Sequence, residues 1–516
     1  MHRRYKSPRS LGASTTAALL FSGLVGCTGS IDPADDDLMS PGSSGVPGQP
    51  HGGMQSAAGS GTTPGGGNTN VGLGGAGGGV DAGPSAGTAG SGPPPRPAAS
   101  PRIARLTHFQ WRNAVQDLLR LDAPPAQADS FPTDAVTGFD TDASQLRMSS
   151  TLRDDYQSAA EALARQVATN SSALAKLIPA SAPTEAKARA EAFVQTFGRR
   201  AYRRPLTAAE VSQYITLFDK GPQLAPDLDA FAAGAMLVMQ TILQSPHFLY
   251  RTELSQQSNE GKVALNGYEV AAKLALAVTG SIPDDALLDA AAAGALEPGM
   301  ASASVSTHAE RLLATPRAKA TALHLHTQAL AVSRYALILR ETENYPEFTG
   351  ATPASLRKSA ELFLGSIYDQ NLGLKGLLTS PEVFVDANLA KIYGLTGTQF
   401  GTDFTKVDLS AQSRRGFLTQ AGFLALFSGE HQPDPIHRGV FINEQVLCVS
   451  VGVPIPNIPP LPDPQPNQTN RQRIDAVTGV GTCGQGCHAT LINPLGFAFE
   501  NYDPLARHRT MDNGAP

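Results

Sequence analysis

Residues 481–488, Gly-Thr-Cys-Gly-Gln-Gly-Cys-His, bring two thiols and an imidazole into one short stretch. Covalent attachment of haem c uses that set: two thiols add to the two vinyl groups, and the imidazole directly after the second thiol reaches the iron. Cys483, Cys487 and His488 supply it, with three residues between the cysteines where the usual motif has two. The residues therefore predict haem c on Cys483 and Cys487, with His488 as the metal ligand. A sixth ligand would come from His508 or Met511 downstream, or from His431 or His437 in "GEHQPDPIHRG" upstream. Arg507 and Arg509 are the cations suited to the propionates. The same residues leave two other arrangements open. Cys483 and Cys487 can close a small disulfide ring, or either can pair with Cys448 and tie the terminal segment to the body, where the longer loop is constrained more strongly. Zinc held by Cys448, Cys483, Cys487 and a histidine is the third, although the adjacent Cys487 and His488 fit poorly into one tetrahedral shell.

Other constellations carry less chemistry. Glu430, His431, Asp434 and His437 form the densest set of metal-ligating types, but the prolines among them suit a loop. His324 and His326 lie two apart on a predicted helix and so point about 200° apart. Glu500 and Asp503, about one helical turn apart, can cap or pair with Arg507 or Arg509. No G-x-S-x-G, Walker loop, dinucleotide fingerprint or HExxH is present, so hydrolase, nucleotide-binding and zincin readings lack support and no catalytic residue is assigned. The formal net charge is −5. The one dense basic patch beyond the N-terminus is "RRAYRR" at 199–204, which reads as a solvated or salt-bridged face and not as a nucleic-acid site.

The N-terminus has the order of an export signal: His2, Arg3, Arg4, Lys6 and Arg9, then a mainly apolar run from Ala17 to Val25 that is too short to span a membrane. It ends in Leu-Val-Gly-Cys, similar to a bacterial lipobox, which makes Cys27 the lipid acceptor and a lipid anchor the expected membrane contact. Thr28 after that cysteine, by resemblance to lipoprotein sorting, favours the outer membrane. Residues 28–100 are Gly, Ser, Pro, Thr and Ala with few large apolar side chains, so they read as a disordered tether.

From Arg102 onward the apolar spacing is helical, which predicts an all-α, multi-helix assembly. Thr107 with Gln110, Thr207 with Glu210 and Ser281 with Asp284 have the spacing of helix-capping pairs. Helices are expected at about 150–177, 184–202, 207–219, 228–245, 266–279, 284–293, 304–314, 317–340, 353–369 and 411–428, with prolines between them. Trp111 reads as core. Residues 449–470 are proline-rich and should run extended as a strap.

Seven segments in order carry a resemblance: "RLTHFQWRNAVQDLLRL", "FGRRAYRRPLTAAE", "LQSPHFLYRTEL", "LNGYEVAAKLALAVTGSIPDDALLDAAAAGAL", "SRRGFLTQAGFLA", "HRGVFINEQVLC" and "CHATLINPLGFAFENYDPLARHR". They resemble the bacterial (planctomycete or myxobacterial type) surface-protein family built around domain of unknown function 1592, with companions 1587, 1595, 1588 and a shortened cytochrome-like 1585 terminus. The resemblance implies a terminal CxxCH followed by "DPLGFALENFD". This chain departs from it with CGQGCH, with Asn493 in place of Asp, and with an end at Pro516 that reads as a shortened module. The expected organisation is a signal at 1–27, tether at 28–100, helical modules at 101–180, 181–255, 256–400 and 401–460, and an irregular cysteine-containing segment at 461–516. The expected function is one-electron transfer by an envelope lipoprotein with a redox partner protein. The alternative is a binding or scaffold protein of the envelope whose terminal cysteines form a structural disulfide, and an enzyme with its site in the helical body stays open.

Overall fold

A computed structural model describes residues 101–516, apart from 135–137, 257, 260–261, 300 and 453–459. The export signal with Cys27, the tether and the middle of the proline-rich strap lie outside the described residues.

The described chain is all-α, as the apolar spacing predicts. β1 (Ile103–Arg105) leads into α1 (His108–Leu119), where Thr107 Oγ1 accepts from the Gln110 amide and Gln110 reaches back to Thr107 N, so both sides of the capping box are made. α2 (Ser150–Ala168), α3 (Ala186–Tyr202), α4 (Ala208–Phe218) and α5 (Ala230–Gln244) follow, and β2 (Tyr250–Thr252) returns antiparallel to β1. Small residues on α5 (Ala232, Ala233, Gly234, Ala235) let its neighbours close in, and Trp111, Phe193, Val238 and Phe248 fill one continuous core from Leu106 to Ile282. A two-residue ladder of β3 (Ser258–Asn259) and β4 (Lys262–Val263) precedes α6 (Gly267–Thr279), α7 (Asp285–Ala292) and α8 (Ala301–Leu313), whose small core centres on Ala271, Leu287 and Leu296. The third core begins after α9 (Pro316–Ala329), takes in α10 (Thr352–Asp369) and the ladder of β5 (Glu382–Val385) with β6 (Thr405–Asp408), and runs to Ala506.

The basic patch is salt-bridged. Arg199 pairs with Asp289, Arg200 with Asp285 and Arg204 with Glu210, while Arg203 is buried and donates to the carbonyls of His247, Phe248 and Tyr250. Glu210 also closes the Thr207 capping box at the start of α4. Its hydrogen bonds to Arg204 and to the cap draw its pKa from 4.5 down to about 2. A carboxylate with a depressed folded-state pKa contributes stability that is present above its unfolded value and is lost as pH falls toward the folded one. Thermal melts of Glu210→Gln should therefore show a lower midpoint than the native chain at pH 7, with the difference closing between about pH 4.5 and 2. A gap of the same size at both ends of that range would remove this assignment.

Three expectations need correcting. Ser281 is no cap: its hydroxyl donates to Asp117, and Asp284 itself caps α7 by accepting from Leu287 N. The helix expected to 340 stops at Ala329, and a 3-10 turn from Val332 to Leu337 follows Ala331, whose φ is +55°. Most of 411–428 is not helix. Only α11 (Ala421–Leu426) forms, because Gly416 takes φ +65° and a side chain there would strike the Leu378 carbonyl. The buried Arg414 holds that bend from within by donating to the carbonyls of Thr419 and Ala506.

Candidate functional site

The cysteine segment is wound more loosely than an α-helix. α12 (Pro435–Phe441) continues into a π-turn over Ile442–Val446, and α13 (Asn470–Thr478) leads to a second π-segment, Gln485–Ile492, then to α14 (Asn493–Gly496) and a 3-10 turn at Phe497–Phe499. A π-turn closes i→i+5 instead of i→i+4 and so holds one more residue per turn. Cys487 and His488 lie on that segment, and Cys483 sits in the turn entering it. Within CGQGCH the Cys487 and His488 amides both donate to the Gly484 carbonyl, and the wider winding runs from Gln485 onward.

Backbone contact fixes this segment to α12. A Cβ on Gly496 would stand 1.8 Å from the Pro435 carbonyl oxygen, and one on Gly439 would stand 2.2 Å from that of Ile492. Asn443, buried on the first π-turn, donates to both Gly439 O and Leu491 O. Beneath them Arg438 is fully buried, donating to the Leu424 and Phe499 carbonyls and to Ser428 Oγ, with Glu500 3.8 Å away. Burial draws the Arg438 pKa down to about 10 and pushes that of Glu500 up.

Cys483 and Cys487 are both free, exposed thiols, so neither the small ring nor a bridge from either to Cys448 is formed. The His488 ring is half-buried with its Nδ1 fully enclosed, and burial lowers its pKa against the opposing effect of the Asn493 side chain. Among the described residues no three His, Cys, Asp or Glu side chains converge as a metal site, which removes the zinc arrangement and the Glu430, His431, Asp434 and His437 cluster there. Asp434 instead caps α12 and binds the His437 ring, and Glu430 accepts from Glu341 N.

The other predicted ligands are dispersed. Met511 precedes Asp512, whose carboxylate accepts from Asn470 N at the start of α13, whereas the His488 segment packs at Thr478, its end. That is one helix length, about 12 Å. His508 packs edge-on against Tyr502. His431 and His437 line a groove of about 440 Å³ with Arg473 and Ile474, and His488 is not part of it. Arg507 is committed to Asp503 and Glu347, and Arg509 to Asp512 and the Glu500 carbonyl, so neither is a free cation. What sequence reasoning missed is the pairing of Thr478 with Asn493, at 3.0 Å. The sole signal for it was Asn493 standing where the resemblance has Asp.

Family models match four stretches in series: PSD3, protein of unknown function (DUF1587), at 104–169; PSD5, protein of unknown function (DUF1595), at 189–253; PSD4, protein of unknown function (DUF1592), at 265–395; and PSCyt3, protein of unknown function (DUF1588), at 414–512. The chain carries these four modules. The cysteine segment lies inside the DUF1588 match, so no separate 1585 terminus is needed to account for it. No curated protein and no solved structure matches the chain. The first three modules together enclose a cavity of about 370 Å³, to which the DUF1587 module gives Arg105 and Phe109, the DUF1595 module Arg251, and the DUF1592 module Lys273, His324 and Gln328. His324 is held there by Asp140 at 2.7 Å and stacked on Phe109 at a centroid distance of 4.0 Å.

Proposed function

We propose that the DUF1588 module is a mono-haem c site used for one-electron transfer. Cys483 and Cys487 would hold the group through thioethers, and His488 would be its axial ligand. The observation that carries the reading is the pair of free, exposed thiols at the entry to a π-wound segment, with the imidazole directly after the second and its Nδ1 buried away from solvent. The name of the matching family, PSCyt3, agrees with a cytochrome-like module. Val480, 83% exposed three residues before Cys483, offers apolar surface for a macrocycle to cover.

When bound, haem c supplies reversible uptake of one electron. The chain's own part is to present two thiols at the surface, hold the imidazole from behind, and keep the segment rigid through Asn443, Gly439 and Gly496. The same reading includes export, a lipid anchor on Cys27 that keeps the protein at the envelope, most simply the outer membrane, and a redox partner protein.

Intact mass after expression in a host competent for c-type maturation tests this. Each thiol adds across a vinyl group, its hydrogen going to the other vinyl carbon, so nothing is lost and the chain gains the whole cofactor, about 616 Da. A sharp α band in the reduced spectrum should accompany it. A colourless protein without that increment would overturn the haem reading, and an unacylated Cys27 would overturn the anchor alone.

A further inference from the structure

Thr478, Asn493 and His488 form a relay whose hydrogen positions are determined by elimination. Thr478 Oγ1 donates to the Ile474 carbonyl at 2.7 Å, so its one hydrogen is used and toward Asn493 it can only accept. Asn493 Nδ2 donates to that hydroxyl at 3.0 Å, which fixes which way the amide is turned. Asn493 is 3% exposed, and its Oδ1 is left buried without a hydrogen-bond partner. The only other such atom on this segment is His488 Nδ1. The Asn493 backbone N–H donates to the His488 carbonyl, which sets the two residues one π-turn apart, and the Asn493 side chain acts on the His488 ring. The ring is held beside Thr478 because residue 484 is glycine: a Cβ there would lie 2.9 Å from the Thr478 carbonyl oxygen and 3.3 Å from His488 Cδ2.

An amide oxygen can only accept, so an Nδ1 paired with it must carry the hydrogen of the neutral imidazole, which leaves the lone pair on Nε2. We infer that Asn493, itself oriented by Thr478, is a positioning residue that holds His488 as the Nδ1–H tautomer and so presents Nε2 to a metal. This rests on the haem reading for its purpose but not for its test. Groups behind a ligating imidazole commonly change metal affinity by about 10–100-fold.

The test uses the haem-free full-length chain with ¹⁵N-labelled histidine, the His488 signals being assigned by their loss in His488→Gln. Imidazole nitrogen shifts above the pKa should report Nδ1–H in the native protein. Asn493→Leu, similar in volume but unable to accept, should move the ring toward Nε2–H, and Asn493→Asp should restore Nδ1–H. Native protein already in the Nε2–H form, or an Asn493→Leu spectrum unchanged from native, would overturn the inference. Should Asn493→Leu fail to fold, the native and Asn493→Asp spectra decide it in the same way. Failure of haem loading, read by mass, leaves these shifts untouched, so the two readings fail separately. In loaded protein, Asn493→Leu should weaken axial ligation, seen as a spin-state change, and Asn493→Asp should lower the midpoint potential because a carboxylate enriches the imidazole in electrons.

Discussion

Pigment should remain bound to Cys483→Ala and to Cys487→Ala through one thioether each, and should be lost completely from the double variant into acidified acetone. The thiols are the only covalent attachment available on this segment, so the effect of removing both is all or none. His488→Ala should keep both thioethers and the full mass increment while changing the iron's spin state, because it removes a ligand and no attachment point. The single cysteine variants should also show a red-shifted α band, since one vinyl stays conjugated. Double-variant protein that still carries the cofactor after acid extraction would show that Cys483 and Cys487 are not the anchors. Unaltered spectra in His488→Ala would remove the axial role.

Gly496→Ala should be the most damaging single methyl addition in the terminal module. Its Cβ would stand 1.8 Å from the Pro435 carbonyl oxygen, a backbone atom that no rotamer change can move aside. α12 would have to withdraw from the cysteine segment, and with it the seat of the buried Arg438, whose partners include the Phe499 carbonyl just beyond Gly496. Overpacking of this kind costs about 1–3 kcal/mol or more, and the upper end applies because the obstacle is main chain. Gly486→Ala is the matched control. It lies between the two cysteines, and a Cβ there meets nothing within 4 Å. Urea midpoints should fall clearly for Gly496→Ala and stay near native for Gly486→Ala. Equal midpoints would mean that α12 and α14 do not pack as tightly as their backbones indicate.

The sequence by itself determined what depends on near neighbours in the chain. The capping boxes at Thr107 with Gln110 and Thr207 with Glu210 are closed within three residues, so their spacing was enough to find them. The same holds for the all-α class, because apolar periodicity needs only a neighbouring surface to bury it, and for Trp111, which is 1% exposed in the first core. The cysteine pair and His488 were legible as residue types, since thiol addition and iron ligation are properties of the side chains.

Contacts distant in sequence decided the rest. The bend that stops a helix at 411–428 depends on Gly416 meeting Leu378 and on Arg414 reaching Ala506, and nothing in that window announces either partner. Arg507 could be matched to Asp503 from spacing alone, but its second partner, Glu347, comes from 160 residues away. His508 and Met511 follow His488 closely in the chain but pack elsewhere, because the C-terminal residues turn back to the start of α13. The cysteine segment reaches its seat because Gly439 and Gly496 let it meet a second helix backbone to backbone, at Ile492 and Pro435. The tautomer of His488 is the sharpest case. Its determinants, Ile474, Thr478 and Asn493, are spread over two helices, and only tertiary packing removes water from the nitrogen and the amide oxygen so that each must answer to the other.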